Sequence, residues 1–176
     1  MRNENLWAPW RIDYIRGLSD AKDADPAADA DCFLCDAAAD GHDTAALADR
    51  LILLRDERGL LMLNRYPYTN GHLLIAPLDH VPELSDMTAD QRTGLMELTE
   101  LATRLLKTVL NPQGVNLGMN LGRCAGAGVP GHAHMHVVPR WNGDVNFMNA
   151  VAGVRVIPQD LASAYDDLKT ALPSLT

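Results

Sequence analysis

Three of the six histidines stand in strict alternation, in Gly131-His132-Ala133-His134-Met135-His136-Val137-Val138-Pro139. Successive side chains leave opposite faces of an extended strand. His132, His134 and His136 therefore share one face, while Ala133, Met135 and Val137 turn toward a core. A helix would scatter the imidazoles around its circumference, so Gly131 to Pro139 reads as a strand. Imidazole titrates near pH 6.5, so at neutral pH a ring nitrogen is available as a nucleophile without a strong base. Upstream runs Gly122-Arg123-Cys124-Ala125-Gly126-Ala127-Gly128, a glycine-rich loop that lets backbone approach a ligand and offers amides to phosphate oxygens. Cys32 and Cys35 form a second group, with the spacing of half a zinc knuckle. A tetrahedral site needs two further ligands. The alternatives are a redox pair or two buried thiols. No helix N-terminus is expected there to lower a thiol pKa, which favours metal. Cys124 reads as a small buried filler, and His42 is assigned no role.

The elements that must position these groups follow from apolar spacing. Leu51 to Arg55 and Leu60 to Asn64 are strand-length runs separated by Asp56-Glu57-Arg58-Gly59, which predicts a hairpin. His72 to Pro77 reads as a third strand after the breaker Asn70-Gly71. Thr88 and Gln91 form a capping box. It opens a helix whose Leu95, Leu98, Ala102, Leu105 and Val109 recur at helical spacing, and Asn111-Pro112 ends it. Val115 to Leu121 returns to strand character, and a short helix follows Pro158 through Leu168. This order predicts an α+β fold, an antiparallel sheet with a helix on one face.

The chain has 176 residues and suits a single domain, 47% apolar and 22% charged, which excludes a wholly disordered chain. Acidic residues number 23 against 15 basic ones, for a formal charge of −8. That sign argues against broad adhesion to nucleic acid or anionic lipid, so any phosphate must be held by local donors. No apolar run approaches the length of a membrane span and the start carries no secretory signal. With only 3 cysteines, the expectation is a reducing, cytoplasmic setting. Residues 1–17 read as an aromatic arm holding Trp7, Trp10 and Tyr14, either docking on the core or walling a pocket or dimer contact. Residues 18–49 read as an acidic linker carrying the cysteine pair, 50–141 as the catalytic core, and 142–176 as a C-terminal extension.

The segment His132 to Val138 matches in full the pattern His-φ-His-φ-His-φ-φ, with φ apolar, and on it the chain resembles the histidine-triad family. The resemblance extends through Asn64-Arg65-Tyr66-Pro67, Gly71-His72-Leu73-Leu74-Ile75 and Asn120-Leu121-Gly122. It implies an antiparallel sheet with a long helix, joined into one continuous sheet across a homodimer. It also implies nucleotide binding and cleavage at the α-phosphate. His134 would attack phosphorus and carry the nucleotide covalently, with a main-chain carbonyl near His132 fixing its tautomer. His136 would stabilise charge on a non-bridging or leaving oxygen. Asn64 matches the position that bonds the ribose, and Asn120 with Ala125 to Gly128, including Gly126 and Ala127, matches the phosphate-binding stretch. His72 occupies a recurrent position and reads as a supporting residue. Zinc-bearing members imply a structural site of Cys32, Cys35, His80 and His132.

Trp7, Pro9, Arg11 and Tyr14, with residues 139 to 144 and 146 to 148, resemble the bacterial members that cleave diadenosine tetraphosphate by phosphorolysis. Hydrolase members commonly carry Gln in the loop before the triad, where this chain has Ala127-Gly128. The smaller loop leaves room for inorganic phosphate as acceptor, with Arg123, Arg140 or Asn146 as further donors and Trp141 as a wall. The expectation is phosphorolysis to ADP and ATP. The alternatives are an AMP-releasing hydrolase and a nucleotide-binding regulatory protein with vestigial turnover.

Overall fold

The computed structural model describes residues 32–39, 43–144, 151 and 156–176. The N-terminal arm, His42 and residues 146 to 148 lie outside them. Among the described residues two short helices come first, α1 (Phe33–Ala38) and α2 (Thr44–Asp49), followed by β1 (Ile52–Asp56), β2 (Gly59–Leu63) and β3 (Leu73–Ala76). The long helix α3 (Ala89–Leu110), β4 (Gly114–Met119), β5 (Met135–Arg140) and α4 (Leu161–Ala171) complete the order. The strands form one antiparallel sheet in the order β1-β2-β3-β5-β4.

The alternating side chains of β2 and β3 divide between two apolar layers, as the two-residue period of a strand requires. Leu61, Leu63, Leu73 and Ile75 face α3 and α4, together with Ala133 and Val137. Leu60, Met62, Leu74 and Ala76 face the other way, onto Cys32, Leu34 and Ala37 at α1. The sheet is thus buried on both sides near β2, and α1 covers the face opposite the long helix.

The capping box at α3 forms as expected, with Thr88 Oγ1 accepting from Gln91 N at 3.2 Å and Gln91 Oε1 accepting from Thr88 N at 2.8 Å. Asn111 ends the helix in the left-handed region, with φ 45°. Midway along, Gly94 lets the helix approach the β1–β2 turn closely. A Cβ there would stand 2.5 Å from the Arg58 carbonyl oxygen and 2.9 Å from its Cα.

Three expectations need correction. Residues 18–49 are not all linker, since α1 and α2 form within them. Alanine-rich sequence favours helix, Asp43 Oδ1 caps α2 by accepting from Ala46 N at 2.8 Å, and Leu34 and Ala37 anchor α1 on the sheet. The last strand begins at Met135 rather than Gly131, because the Ala133 amide leaves the ladder to bond the Val81 carbonyl at 2.7 Å. The histidine alternation survives this, for Ala133, Met135 and Val137 all pack on the α3 side. Cys124 is exposed, not buried, because it sits on a single 3-10 turn, Arg123–Ala125, within the glycine-rich loop.

Candidate functional site

His134 lies just before β5 and is 5% exposed. Its Nδ1 is 2.8 Å from the carbonyl oxygen of His132. A carbonyl only accepts, so Nδ1 carries the proton and Nε2 keeps its lone pair. Burial pulls the His134 pKa below its ordinary value, against the opposing pull of that hydrogen bond. The ring is therefore neutral at physiological pH, in the tautomer a nucleophile requires.

A second set of bonds fixes His136. The Tyr68 backbone N–H donates to His72 Nδ1 at 3.0 Å, so His72 carries its proton on Nε2. That proton is donated to His136 Nδ1, 3.0 Å away, which places the remaining hydrogen of neutral His136 on Nε2. His136 Nε2 is buried without a partner. The result is a donor held toward the cleft, next to His134, with the His134 and His136 ring centres 5.0 Å apart. Burial first, and the neighbouring histidines second, push His72 down to about 3 and His136 to about 4. Tyr68 packs its ring over both, with centroids 4.6 Å from His72 and 5.8 Å from His136. Opposite His136 across the β4–β5 ladder stands Gly118, with open space where a side chain would be.

His134 and His136 open into a cleft of about 490 Å³, within the usual size of a small-molecule site. Its apolar lining is Phe33, Ala37, Met62, Leu74 and Val129, and Gly126 and Gly128 line it from the glycine-rich loop. Asn64 lines it too, with its side chain already engaged: Oδ1 accepts from Tyr66 N at 3.0 Å and Nδ2 lies 3.2 Å from His72 Nδ1. A larger and shallower concavity of about 860 Å³ lies along the outer side of α3. It holds no histidine or cysteine, so the chemistry belongs to the smaller cleft.

The structure therefore gathers Asn64, Gly126, Gly128, His134 and His136 around one space. Ala127, Asn120 and Trp141 are not among the residues lining it. Asn120 follows the last ladder pair, Met119 with Met135, at the level of His134. Arg140 lies at the far end of β5 and is committed to Asp144 and Asn116, which removes it as a phosphate donor. Sequence reasoning missed Tyr68 and the lining residues Phe33, Arg50, Arg65 and Tyr66. A signal existed for two of them, since half of the 4 tyrosines fall in the short polar turn before His72.

The His132 side chain turns elsewhere. Ligand atoms of Cys32, Cys35, His80 and His132 all lie within 4.8 Å of one another. Cys35 Sγ is 3.1 Å from His80 Nδ1 and 3.5 Å from His132 Nδ1, and Cys32 Sγ is 3.4 Å from His132 Nδ1. Tetrahedral zinc, with bonds of about 2.0–2.3 Å, spaces its N and S ligands by roughly these distances. His132 Nε2 donates to the Pro77 carbonyl at 3.0 Å, which leaves Nδ1 with its lone pair toward the sulfurs. The donor set fits a metal. Cys32 does sit at the N-terminus of α1, contrary to expectation. Even so, burial first and Cys32 second push the Cys35 thiol up to about 11, the opposite of a reactive redox thiol.

Known proteins resemble this chain in sequence and fold. A family model described as the HIT domain matches residues 46–143. The AP-4-A phosphorylase of Mycobacterium tuberculosis is 37% identical over 158 residues, covering 89% of this chain and 77% of that one. The asymmetrical bis(5'-nucleosyl)-tetraphosphatase of Schizosaccharomyces pombe is 30% identical over 93 residues, 53% of this chain and 50% of that one. A Zn-bound histidine triad family protein from Mycobacterium smegmatis superimposes with a TM-score of 0.65 at 28% identity, covering 82% of this chain and 95% of that structure. The matched stretch takes in the whole sheet and all three alternating histidines, and the chain belongs to the HIT domain, or histidine-triad, family.

Proposed function

We propose that this protein is a nucleotidyltransferase that cleaves dinucleoside polyphosphates at the α-phosphate and passes the nucleotide to inorganic phosphate. The observation that carries the reading is the pair of fixed tautomers, His134 with a free Nε2 and His136 with a free Nε2–H. In the first step His134 Nε2 bonds to the α-phosphorus, and the bond from that phosphorus to the bridging oxygen breaks. With diadenosine tetraphosphate the leaving group is ATP. The proton stays on His134 Nδ1 and is donated to the His132 carbonyl, which stabilises the positive charge the ring acquires. His136 Nε2–H donates to a phosphate oxygen as charge builds there. In the second step phosphate attacks the same phosphorus in line, the bond to Nε2 breaks, and ADP departs.

The glycines at 126 and 128 and the lack of a glutamine before the triad leave space for phosphate in the loop. The tuberculosis relative bears the name of a phosphorylase. The test is product analysis on diadenosine tetraphosphate. ADP and ATP formed at a rate that rises with phosphate are expected, whereas AMP and ATP at a rate indifferent to phosphate would establish the hydrolase of the second reading.

The Cys32, Cys35, His80 and His132 set would hold zinc. Four protein ligands leave no position for water, so the ion would serve to tie α1 to the sheet beside the triad. Elemental analysis should find about one zinc per chain, and Cys32→Ser should lower stability more than it lowers turnover per folded molecule. The domain reads as one unit built on the 50–141 core, and the same reading places it in a homodimer. β4 is the last strand of the sheet, and its Leu117 is 51% exposed, an edge that pairing would cover. Sedimentation at micromolar concentration should give twice the chain mass. The reading also keeps the protein in the cytoplasm, and among the described residues no helix is long and apolar enough to cross a membrane.

A further inference from the structure

We propose that Tyr66 and Arg65 form a subsite for the nucleoside that leaves, so that the cleft selects dinucleoside over mononucleoside substrates. The inference rests on the nucleotidyl-transfer reading above. The apolar lining of the cleft, at Phe33, Met62 and Leu74, suits the base of the transferred nucleotide. The other half of a dinucleoside polyphosphate, a polyphosphate ending in a second base, must then run out along the mouth. Arg65 and Tyr66 stand there, both lining the same cleft as His134 and His136.

Tyr66 is 81% exposed, yet its segment is fastened. Its N–H donates to Asn64 Oδ1 at 3.0 Å, and the Arg65 guanidinium donates to the Asp49 carbonyl at 2.7 Å. Pro67 then restricts the backbone that follows. A ring held out into solvent by a restrained backbone loses little entropy when a base stacks on it. It also gains nothing from core packing that would otherwise explain its place. Tyr66 is two residues from Asn64, so their Cα atoms are at most about 7 Å apart, a gap that a few phosphates span.

Charge points the same way. The whole chain carries −8, but among the described residues no aspartate or glutamate lines this cleft, whereas Arg50 and Arg65 do. Arg50 is shared with Asp36 at 3.5 Å. Among the described residues the partner of Arg65 is a carbonyl, which leaves its positive charge to meet a polyphosphate oxygen.

The test compares kcat/KM for diadenosine tetraphosphate with that for the p-nitrophenyl ester of AMP. Both present the same adenylyl group, and the ester's leaving group has neither base nor phosphate. Base–aromatic stacking predicts that Tyr66→Ala lowers the tetraphosphate-to-ester ratio about 5- to 100-fold, with Tyr66→Phe restoring it. Arg65→Ala should lower the ratio as well. A ratio unchanged in Tyr66→Ala, or two substrates that fall together, overturns the subsite. The nucleotidyl-transfer reading fails separately, if the wild type turns over neither compound. Calorimetry on the His134→Ala protein then still decides the subsite. Diadenosine tetraphosphate should bind at least about fivefold tighter than AMP, a margin that Tyr66→Ala removes. Equal affinities would refute the proposal.

Discussion

Replacing His72 by Phe tests whether the orientation of His136 is set from behind. The side chain is fully buried, accepts from Tyr68 N and donates to His136 Nδ1, each at 3.0 Å. Phe keeps the ring volume and the packing on Tyr68, whose centroid is 4.6 Å away, but removes these two hydrogen bonds and the contact of His72 Nδ1 with Asn64 Nδ2 at 3.2 Å. One loss falls on the part-buried Tyr68 amide, and taking the acceptor from such a donor costs about 1 kcal/mol of stability. Another falls on His136, whose Nδ1 loses the donor that holds its hydrogen on Nε2. If the population of correctly protonated, correctly oriented rings falls by a similar free energy, kcat drops about 5-fold. KM should change little, because the donor matters most as charge develops in the transition state. The assay is steady-state kinetics of adenylyl transfer, paired with nitrogen NMR of the histidine rings, which reads the His136 tautomer directly. A kcat within about threefold of wild type, with His136 nitrogen shifts unmoved, would refute the reasoning.

Two further outcomes follow from the same structure. His72 and His136 are held neutral, their pKa values pushed to about 3 and about 4, so on acidification the unfolded chain takes up protons first, from about pH 6.5. Stability is full above that pH and falls as pH drops toward 4, by about 2 kcal/mol per unit at the steepest. Urea melts at pH 7, 5.5 and 4.5 measure it, and a flat profile would contradict the buried neutral pair. Gly94→Ala should destabilise by about 1–3 kcal/mol although alanine is the better helix former, because its Cβ would meet the Arg58 backbone at 2.5 Å. A raised melting temperature would mean that α3 and the β1–β2 turn separate without cost.

Much of the frame was legible because its signals are local. The Thr88–Gln91 capping box, the apolar period of α3 and the strand-length runs of β1, β2 and β3 each report a neighbouring contact, and each forms. His132 was harder. Alternation alone puts it with His134 and His136, yet its imidazole goes to the cysteine cluster and only its carbonyl reaches His134. That division depends on the Ala133 amide bonding Val81, about 50 residues away in sequence, which no local pattern encodes. His72 reads from the sequence as a supporting residue, and its bonds to the Tyr68 amide and to His136 are visible only once β3 and β5 pair in register. The α1 and α2 helices escaped notice because alanine and aspartate carry little apolar periodicity, and their stability comes from docking and from the Asp43 cap.

The central claim is that His134 carries the nucleotide. Wild-type protein mixed with diadenosine tetraphosphate without phosphate, quenched in alkali within the first turnover and digested, should yield the peptide containing His134 heavier by one adenylyl group. The adduct should be lost in acid and discharge to ADP when phosphate is added before the quench. Continued turnover with that peptide unmodified, or with the adenylyl group on another residue, would contradict the account.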